Sequence, residues 1–355
     1  MKRISTADRY SSMATRSIIE KTSPLRLGFG ISGLLIVILL VTETLLGRWG
    51  LLLIDGEFDA LAKVSSGVLR DVRLAVVHCL LVGYLPAAFL HALRSGRRTV
   101  LLLQEALACS REECEILAAS VRLSGRGLVI FGLIGMALSF SGPYMVPPVP
   151  ESPWNPATWS PEVMWHRILG PAIGLFGWWL GYAVVIVSLR LSRIARKLGQ
   201  IDLLDLSSLA PFTQQGLTNA LLLVGLLSIS SLMMIETGFE KLTILNGGIA
   251  LTVIALAMIF PLRGVHARIN QAKNKSLAWV NAEISRRRNA FEDSNTELRD
   301  GGMADLIAYR ALIENVPEWP FTSSTYTRLF LYALLPLLSW SIGIVAEEIL
   351  ARALF

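Results

Sequence analysis

Seven apolar blocks constrain this 355-residue chain more than any other feature of its sequence. Each block has about the 17 to 25 residues that an α-helix needs to cross the hydrocarbon core of a bilayer. The blocks are 27–46, 72–93, 127–146, 168–189, 217–235, 242–262 and 329–346. Charged residues make up only 17% of the chain, fewer than in soluble domains, so the expected solvent is lipid. The sequence therefore predicts an all-α, polytopic membrane protein with seven transmembrane helices.

The distribution of basic residues predicts how these helices are oriented. Cytoplasmic connections of membrane proteins carry an excess of Lys and Arg. With the N-terminus inside, 26 of the 33 basic residues fall in the inner segments, which are 1–26, 94–126, 190–215 and 263–328. We therefore expect the N-terminus in the cytoplasm, the C-terminus outside, and a place in the cell membrane (the inner membrane if the source is bacterial). Because topology explains the net charge of +6, we expect no nucleic-acid partner.

The chain divides into four predicted parts. They are a cytoplasmic leader (1–26), six transmembrane helices with their loops (27–262), a cytoplasmic helical segment (263–326) and the seventh helix with an outer C-terminus (327–355). Within the cytoplasmic segment, a second, shorter helix is predicted at 304–316. Residues 201–212 are predicted to form a short interfacial helix that Pro211 ends.

The cytoplasmic segment begins with a long predicted helix. Residues 264–299 contain no proline and no glycine after Gly264, so an unbroken helix would extend roughly 50 Å. A heptad of apolar residues runs along it, consisting of Leu277, Ile284, Phe291 and Leu298. The second heptad position is mostly polar, so packing against neighbouring cytoplasmic segments is favoured over a coiled coil.

Glycines recur at helix-packing spacing in the first and fourth blocks. The segment Gly28–Gly33 matches the dinucleotide-binding pattern GxGxxG, but it lies at the mouth of a membrane helix with no strand before it, so close helix packing explains it better. The fourth block carries two GxxxG units, formed by Gly170, Gly174, Gly177 and Gly181. This spacing lets two helix backbones approach closely. Packing inside one protomer is favoured over a contact between subunits.

Three cysteines are too few for a disulfide framework. Cys79 lies in an apolar block, while Cys109 and Cys114 fall in a segment that the charge pattern places in the cytoplasm. Because cytoplasmic thiols are kept reduced, we expect all three to be free.

Catalytic and cofactor-binding motifs are missing from the sequence. It contains no Walker motif, no HExxH, no GxSxG and no paired catalytic carboxylates, so an enzyme is not expected. His78 and His91 share the second block, whereas His166 and His266 lie on opposite sides of the membrane, so the four cannot converge on a metal or haem. No cofactor and no metal are therefore predicted.

Four carboxylates mark the predicted outer membrane face. They are Glu43, Glu236, Glu347 and Glu348. One interpretation is that Glu43 pairs with Arg48 or Arg73 and the others are solvated boundary residues. The alternative is an acidic outer vestibule that attracts cations or a basic ligand.

The seventh block contains the candidate lining of a path through the membrane. Pro336 can open the helix, and Ser339 and Ser341 follow it. The block interiors otherwise have few ionisable groups, which coupled transporters and pumps normally need near the midplane. A passive path is therefore favoured over coupled transport.

The order of these elements resembles that of the insect odorant and gustatory receptor-like ion channels. Both have seven spans, an inner N-terminus, an outer C-terminus and cytoplasmic helices before the last span. The family's signature in the last span, Thr-Tyr followed by apolar residues and Gln, is not kept, since Thr325-Tyr326 precedes the span and no Gln follows it. The resemblance is one of topology, so no residue roles are carried over. It implies a tetramer, contacts through the cytoplasmic helices and a pore lined by the seventh span. The layout is also similar to that of bacterial inner-membrane proteins.

Three functions are compatible with these observations. The favoured one is an oligomeric channel-like or sensor-like membrane protein with a path near the seventh helix. The second is a transporter for a neutral or apolar solute, with its site at the prolines of spans four and seven. The third is a scaffold that binds a cytoplasmic protein through 264–316.

Overall fold

The computed structural model describes residues 23–45, 58–145, 161–199, 201–234, 241–294, 302–321 and 323–354. Within these ranges the regular structure is entirely helical. The main helices are α1 (Pro24–Leu45), α2 (Phe58–Leu102), α3 (Arg111–Ser120), α4 (Gly125–Met145), α5 (Pro161–Ala195), α6 (Ala210–Ser231), α7 (Lys241–Ile259), α8 (Arg263–Ser294), α9 (Gly302–Glu314) and α10 (Ser323–Leu354). Seven helices are long and apolar enough to cross a membrane, as predicted. Which face is cytoplasmic stays a charge-based prediction.

The bundle is a series of neighbouring helices. α4 packs on α5, α5 on α2, α2 on α6 and α6 on α10, while α1 packs on α2 and α7 on α6. The middle of the series is a core of buried apolar side chains from α2, α5 and α6, including Val77, Leu81, Leu85, Leu180, Val184 and Leu222. α4 and α10 therefore lie at opposite ends of the series.

Glycines set the distance between helices at two crossings. A Cβ atom on Gly174 of α5 would meet the carbonyl oxygen of Gly135 in α4, and the reverse also holds. A Cβ on Gly83 of α2 would likewise meet Ser32 and the Gly28 carbonyl of α1. The Gly28–Gly33 segment thus serves helix packing through its first glycine, as expected.

Four other glycines of the two patterns, Gly30, Gly33, Gly177 and Gly181, do not make such contacts. Gly30 in α1 and Gly181 in α5 have open space where a side chain would begin, and Gly177 is 3.9 Å from Leu85 at its nearest. Gly170 is buried. The close approach of α5 to α4 is therefore made at Gly174.

A second core joins the membrane bundle to the segment after α7. We call this side of the bundle, which carries the connections 94–126, 190–215 and 263–328, the basic face. Buried residues here come from both parts of the chain, among them Leu191, Ile194, Phe212, Leu262, Val265, Ile269 and Ile313. Arg268 of α8 donates from Nη2 to the carbonyls of Leu198 and Gly199, at 2.6 and 2.7 Å. The segment 263–326 therefore shares a core with the transmembrane helices.

The long helix forms as predicted, with a turn at its start. A 3₁₀ turn, Phe260–Leu262, separates α7 from α8, because Pro261 cannot donate a backbone hydrogen bond. The 32 residues of α8 span about 48 Å. α9 pairs with α8 in the same protomer, and Leu277 packs on the shared core. Leu298 and the side chain of Phe291 lie outside the described residues.

The interfacial helix predicted at 201–212 is wrong. The structure has only a 3₁₀ turn there, Ser207–Leu209, and Pro211 lies in the first turn of α6 instead of ending a helix. Proline suits this position, because the first backbone N–H groups of a helix have no partner inside it. Hydrogen bonds from Ser207 hold the pKa of Asp205 below its ordinary value.

The prediction of reduced cysteines is wrong for two of the three. The structure joins Cys109 and Cys114 in a disulfide, whereas Cys79 is free and buried. Ala108, just before Cys109, takes a left-handed conformation (φ 49°), and Ser110, just after it, caps α3. The Cα atoms of the two cysteines are 6.0 Å apart. The prediction rested on compartment alone and did not take this turn into account.

We predict that Gly174→Ala destabilises the protein by about 1 to 3 kcal/mol, the usual cost of overpacking, because its Cβ would meet the Gly135 backbone. Gly181→Ala on the same helix is the control, since no atom lies within 4 Å of the added carbon. Thermal melting in detergent measures both. Equal melting temperatures for the two variants would contradict the close contact between α4 and α5.

Candidate functional site

Five neutral polar side chains meet where α2, α5 and α6 come together. We call them the polar cluster: Ser95, Thr99, Ser188, Gln215 and Asn219. Gln215 is 1% exposed and Asn219 is fully buried. The cluster lies in the half of the bundle nearer the basic face.

Hydrogen bonds connect the cluster in a continuous chain. Ser95 and Thr99 of α2 both donate to Gln215 Oε1, at 2.7 and 2.9 Å. Gln215 Nε2 donates to Asn219 Oδ1 at 2.8 Å, and Asn219 Nδ2 donates to the hydroxyl of Ser188 in α5 at 3.0 Å. A buried polar group without a partner is costly, so each bond favours one relative placement of the three helices. The cluster fixes α6 against both of its neighbours.

A second set of polar contacts holds α10 to α6. Ser339 donates to the carbonyl oxygen of Ser228 at 3.0 Å. Ser231 donates to the same carbonyl at 2.8 Å and lies 3.3 Å from the carbonyl oxygen of Pro336. Two of the three predicted path residues, Pro336 and Ser339, are therefore at a helix contact. Ser341 is exposed and is not brought together with them.

Helix α10 is attached to the bundle along one side. Most of its less exposed residues recur at helical spacing and form a seam, made of Thr325, Leu329, Tyr332, Pro336, Ser339 and Gly343, while Leu334 and Trp340 are half-buried outside the seam. The opposite side, which we call the outward face of α10, includes Thr327, Leu331, Leu338, Ser341, Val345 and Glu348. All six of these residues are exposed. The outward face is mostly apolar, with a polar group near each end and one between.

The start of α10 is anchored by an aromatic stack at the basic face. The ring of His266 in α8 stacks on Trp319 at 4.3 Å, and Trp319 stacks on Phe321 at 5.8 Å. Thr213 at the start of α6 donates to the Pro320 carbonyl at 3.0 Å. Lys273 donates to the carbonyls of the chain just before this stack. The connection from α9 to α10 is therefore fixed on α6 and α8.

Only one of the four predicted rim carboxylates has a described side chain. Glu348 pairs with Arg352, one helical turn away, with Oε1 2.9 Å from Nε. Glu236 and the side chains of Glu43 and Glu347 lie outside the described residues. The choice between a solvated boundary and an acidic vestibule stays open for these three.

Histidines are dispersed in the structure. His78 Nδ1 is 2.7 Å from the Leu74 carbonyl in its own helix, and His266 belongs to the aromatic stack. Among the residues that the structure describes, no group of three His, Cys, Asp or Glu could hold a metal ion.

The sequence interpretation missed most of the polar cluster. Asn219 interrupts the fifth apolar block, which predicts that this face packs against protein, and the structure shows Asn219 fully buried. Gln215 precedes it by four residues, which places both on one side of a helix, and this spacing was an available signal. Nothing in the sequence indicated that Ser95, Thr99 and Ser188, which are common residue types, would face them.

No known protein family, curated protein or solved structure matches this chain. Its function is therefore inferred from the contacts among its own residues.

We predict that Asn219→Leu destabilises the protein by about 1 to 2 kcal/mol, because it removes the acceptor of Gln215 Nε2 and the donor to the Ser188 hydroxyl. Gln214→Leu is the control, since Gln214 is the exposed neighbour of the cluster at the same helix end. Unfolding in increasing fractions of sodium dodecyl sulfate compares the two. If both variants unfold with the wild type, the cluster does not stabilise the helix arrangement.

Proposed function

We propose that this chain is the subunit of an oligomeric channel-like or sensor-like protein of the cell membrane. In this proposal α10 of each copy contributes its outward face to a passive path. The observation that carries it is the attachment of α10 along a single seam at the end of the helix series, which leaves a whole side of that helix to another contact.

The outward face has the chemistry of a gated passive path. Thr327, Ser341 and Glu348 supply polar groups, while Leu331, Leu338 and Val345 lie between them. Hydrophobic constrictions gate channels by excluding water, and carboxylates near a mouth attract cations. One helix cannot enclose a path, so the proposal requires several copies around an axis.

The polar cluster favours passive over coupled transport. The polar cluster is made of amides and hydroxyls, none of which changes charge at ordinary pH. Proton-coupled and ion-coupled carriers use acidic or histidine side chains near the midplane. A transporter with a site at both prolines has less support, because Pro171 is in α5, which packs on α2 and α4, whereas Pro336 faces α6.

A second candidate function is a scaffold that binds a cytoplasmic protein through 264–316. It is favoured by three large apolar side chains on α8 and α9, since Trp279, Ile307 and Leu312 are 59%, 55% and 57% exposed. Exposed apolar patches outside the membrane often mark binding surfaces. Mass measurement in mild detergent separates the candidates, because the channel requires several copies and the scaffold only one.

We predict that a cysteine at position 341 reacts with a charged, membrane-impermeant thiosulfonate much faster than one at position 339. Ser341 lies on the outward face, whereas Ser339 is bonded to the Ser228 carbonyl. The variants Ser341→Cys and Ser339→Cys are compared in liposomes, in a background with Cys79, Cys109 and Cys114 replaced by alanine. Absence of reaction at both positions would place the outward face in lipid and contradict the path.

We predict opposite effects for the two members of the pair at the end of α10. Glu348→Gln removes a negative charge and should lower cation preference, whereas Arg352→Gln leaves the carboxylate without its partner and should raise it. Reversal potentials under a potassium chloride gradient measure both changes. Identical reversal potentials for the wild type and both variants would show that Glu348 does not lie at the ion path. The oligomeric state is tested separately, by the mass measurement.

A further inference from the structure

A three-way helix contact on the basic face brings arginines together. A Cβ on Gly96 of α2 would meet Val187 of α5 and would lie 3.5 Å from Val121, just after α3. Val121 and Val187 are buried, so the inner ends of α2, α4 and α5 converge here.

Three arginines come from the segments that meet at this contact, one from each. Arg122 follows Val121 and donates from Nε to the Ala119 carbonyl at 2.8 Å. Arg190 lies one turn beyond Val187 and donates to the Ser120 carbonyl. Because the two acceptors are adjacent in the chain, both guanidinium groups bind to the last turn of α3. Arg97 follows Gly96 on α2 and is exposed.

The charge of these arginines is not neutralised by nearby acids. In the described part of the chain, no carboxylate forms an ion pair with Arg97, Arg122 or Arg190. Two acids of the neighbouring α3 are engaged elsewhere: Glu113 with the backbone of Ser110, and Glu115 with Arg111. Each arginine keeps guanidinium N–H groups that can donate to an anion.

The helix that follows Arg122 in the chain, α4, has apolar surface that faces away from the protein. On α4, Val129, Ile130 and Leu133 are 61%, 56% and 57% exposed, and they begin about one turn beyond Arg126 along the span. An anion with attached acyl chains could therefore bind its headgroup at the arginines and lay its chains along α4. A soluble anion would contact only the arginines and not the apolar surface of α4.

We propose that Arg97, Arg122 and Arg190 form a binding site for the headgroup of an anionic phospholipid. The bidentate geometry of guanidinium suits the phosphate oxygens, and basic pockets between transmembrane helices are suited to such headgroups. The site is independent of any path along α10, since α4 and α10 lie at opposite ends of the helix series.

The test uses the full chain, purified in detergent and titrated with dioleoylphosphatidylglycerol. Wild type should retain this lipid in native mass spectra and melt at a higher temperature than with dioleoylphosphatidylcholine. Arg122→Gln/Arg190→Gln should need about 25-fold more anionic lipid for the half-maximal thermal shift, given a contribution of about fivefold per arginine. Arg97→Gln should need about fivefold more, and it leaves the bonds to Ala119 and Ser120 intact.

The matched control is Arg263→Gln/Lys275→Gln. It removes two positive charges from exposed positions on the same face, away from the contact, and should leave the titration unchanged. Equal weakening in the control would show a general attraction of the basic face and overturn the site. An equal thermal shift with inorganic phosphate or glycerol phosphate at the same concentration would overturn the lipid as its ligand.

Discussion

The packing of α2 against α5 and α6 is the contact on which the rest of the bundle depends. It combines a buried apolar core with the polar cluster, and the two act differently. Lipid tails are as apolar as the core, so burial alone specifies little in a membrane. The amides of Gln215 and Asn219 specify how the helices are placed, because their hydrogen bonds are satisfied only when all three helices take one arrangement.

Helix α6 carries polar chemistry toward different neighbours along its length. Near the basic face Gln215 and Asn219 point to α2 and α5, and farther along Ser228 and Ser231 meet α10. Successive side chains turn by about 100° per residue, so one helix can present polar groups to several partners. This explains how α10 is positioned although it has little contact with the central core.

The seven spans could be predicted, because apolar blocks of lipid-crossing length are a strong signal. The features that could not be predicted depend on how each helix is rotated about its axis and on where two helices cross. Gly174 and Gly181 fit the same packing pattern, yet only Gly174 is at the crossing with α4. Pro211 was interpreted as a helix end, but proline is equally compatible with a helix start. The cysteine prediction failed because it considered compartment and not the turn at Ala108.

The contacts among α2, α5 and α6 also differ in kind from those that hold α10. α2, α5 and α6 share a fully buried amide network, whereas α10 is held by serine hydroxyls on backbone carbonyls and by the aromatic stack at its start. Interhelical hydrogen bonds in membranes contribute only about 0.6 kcal/mol each on average. Leu329 and Tyr332 of α10 also pack on the apolar core shared by α6 and α7. If α10 lines a path, α10 can move without breaking the polar cluster, because the cluster joins α6 to α2 and α5 and contains no residue of α10.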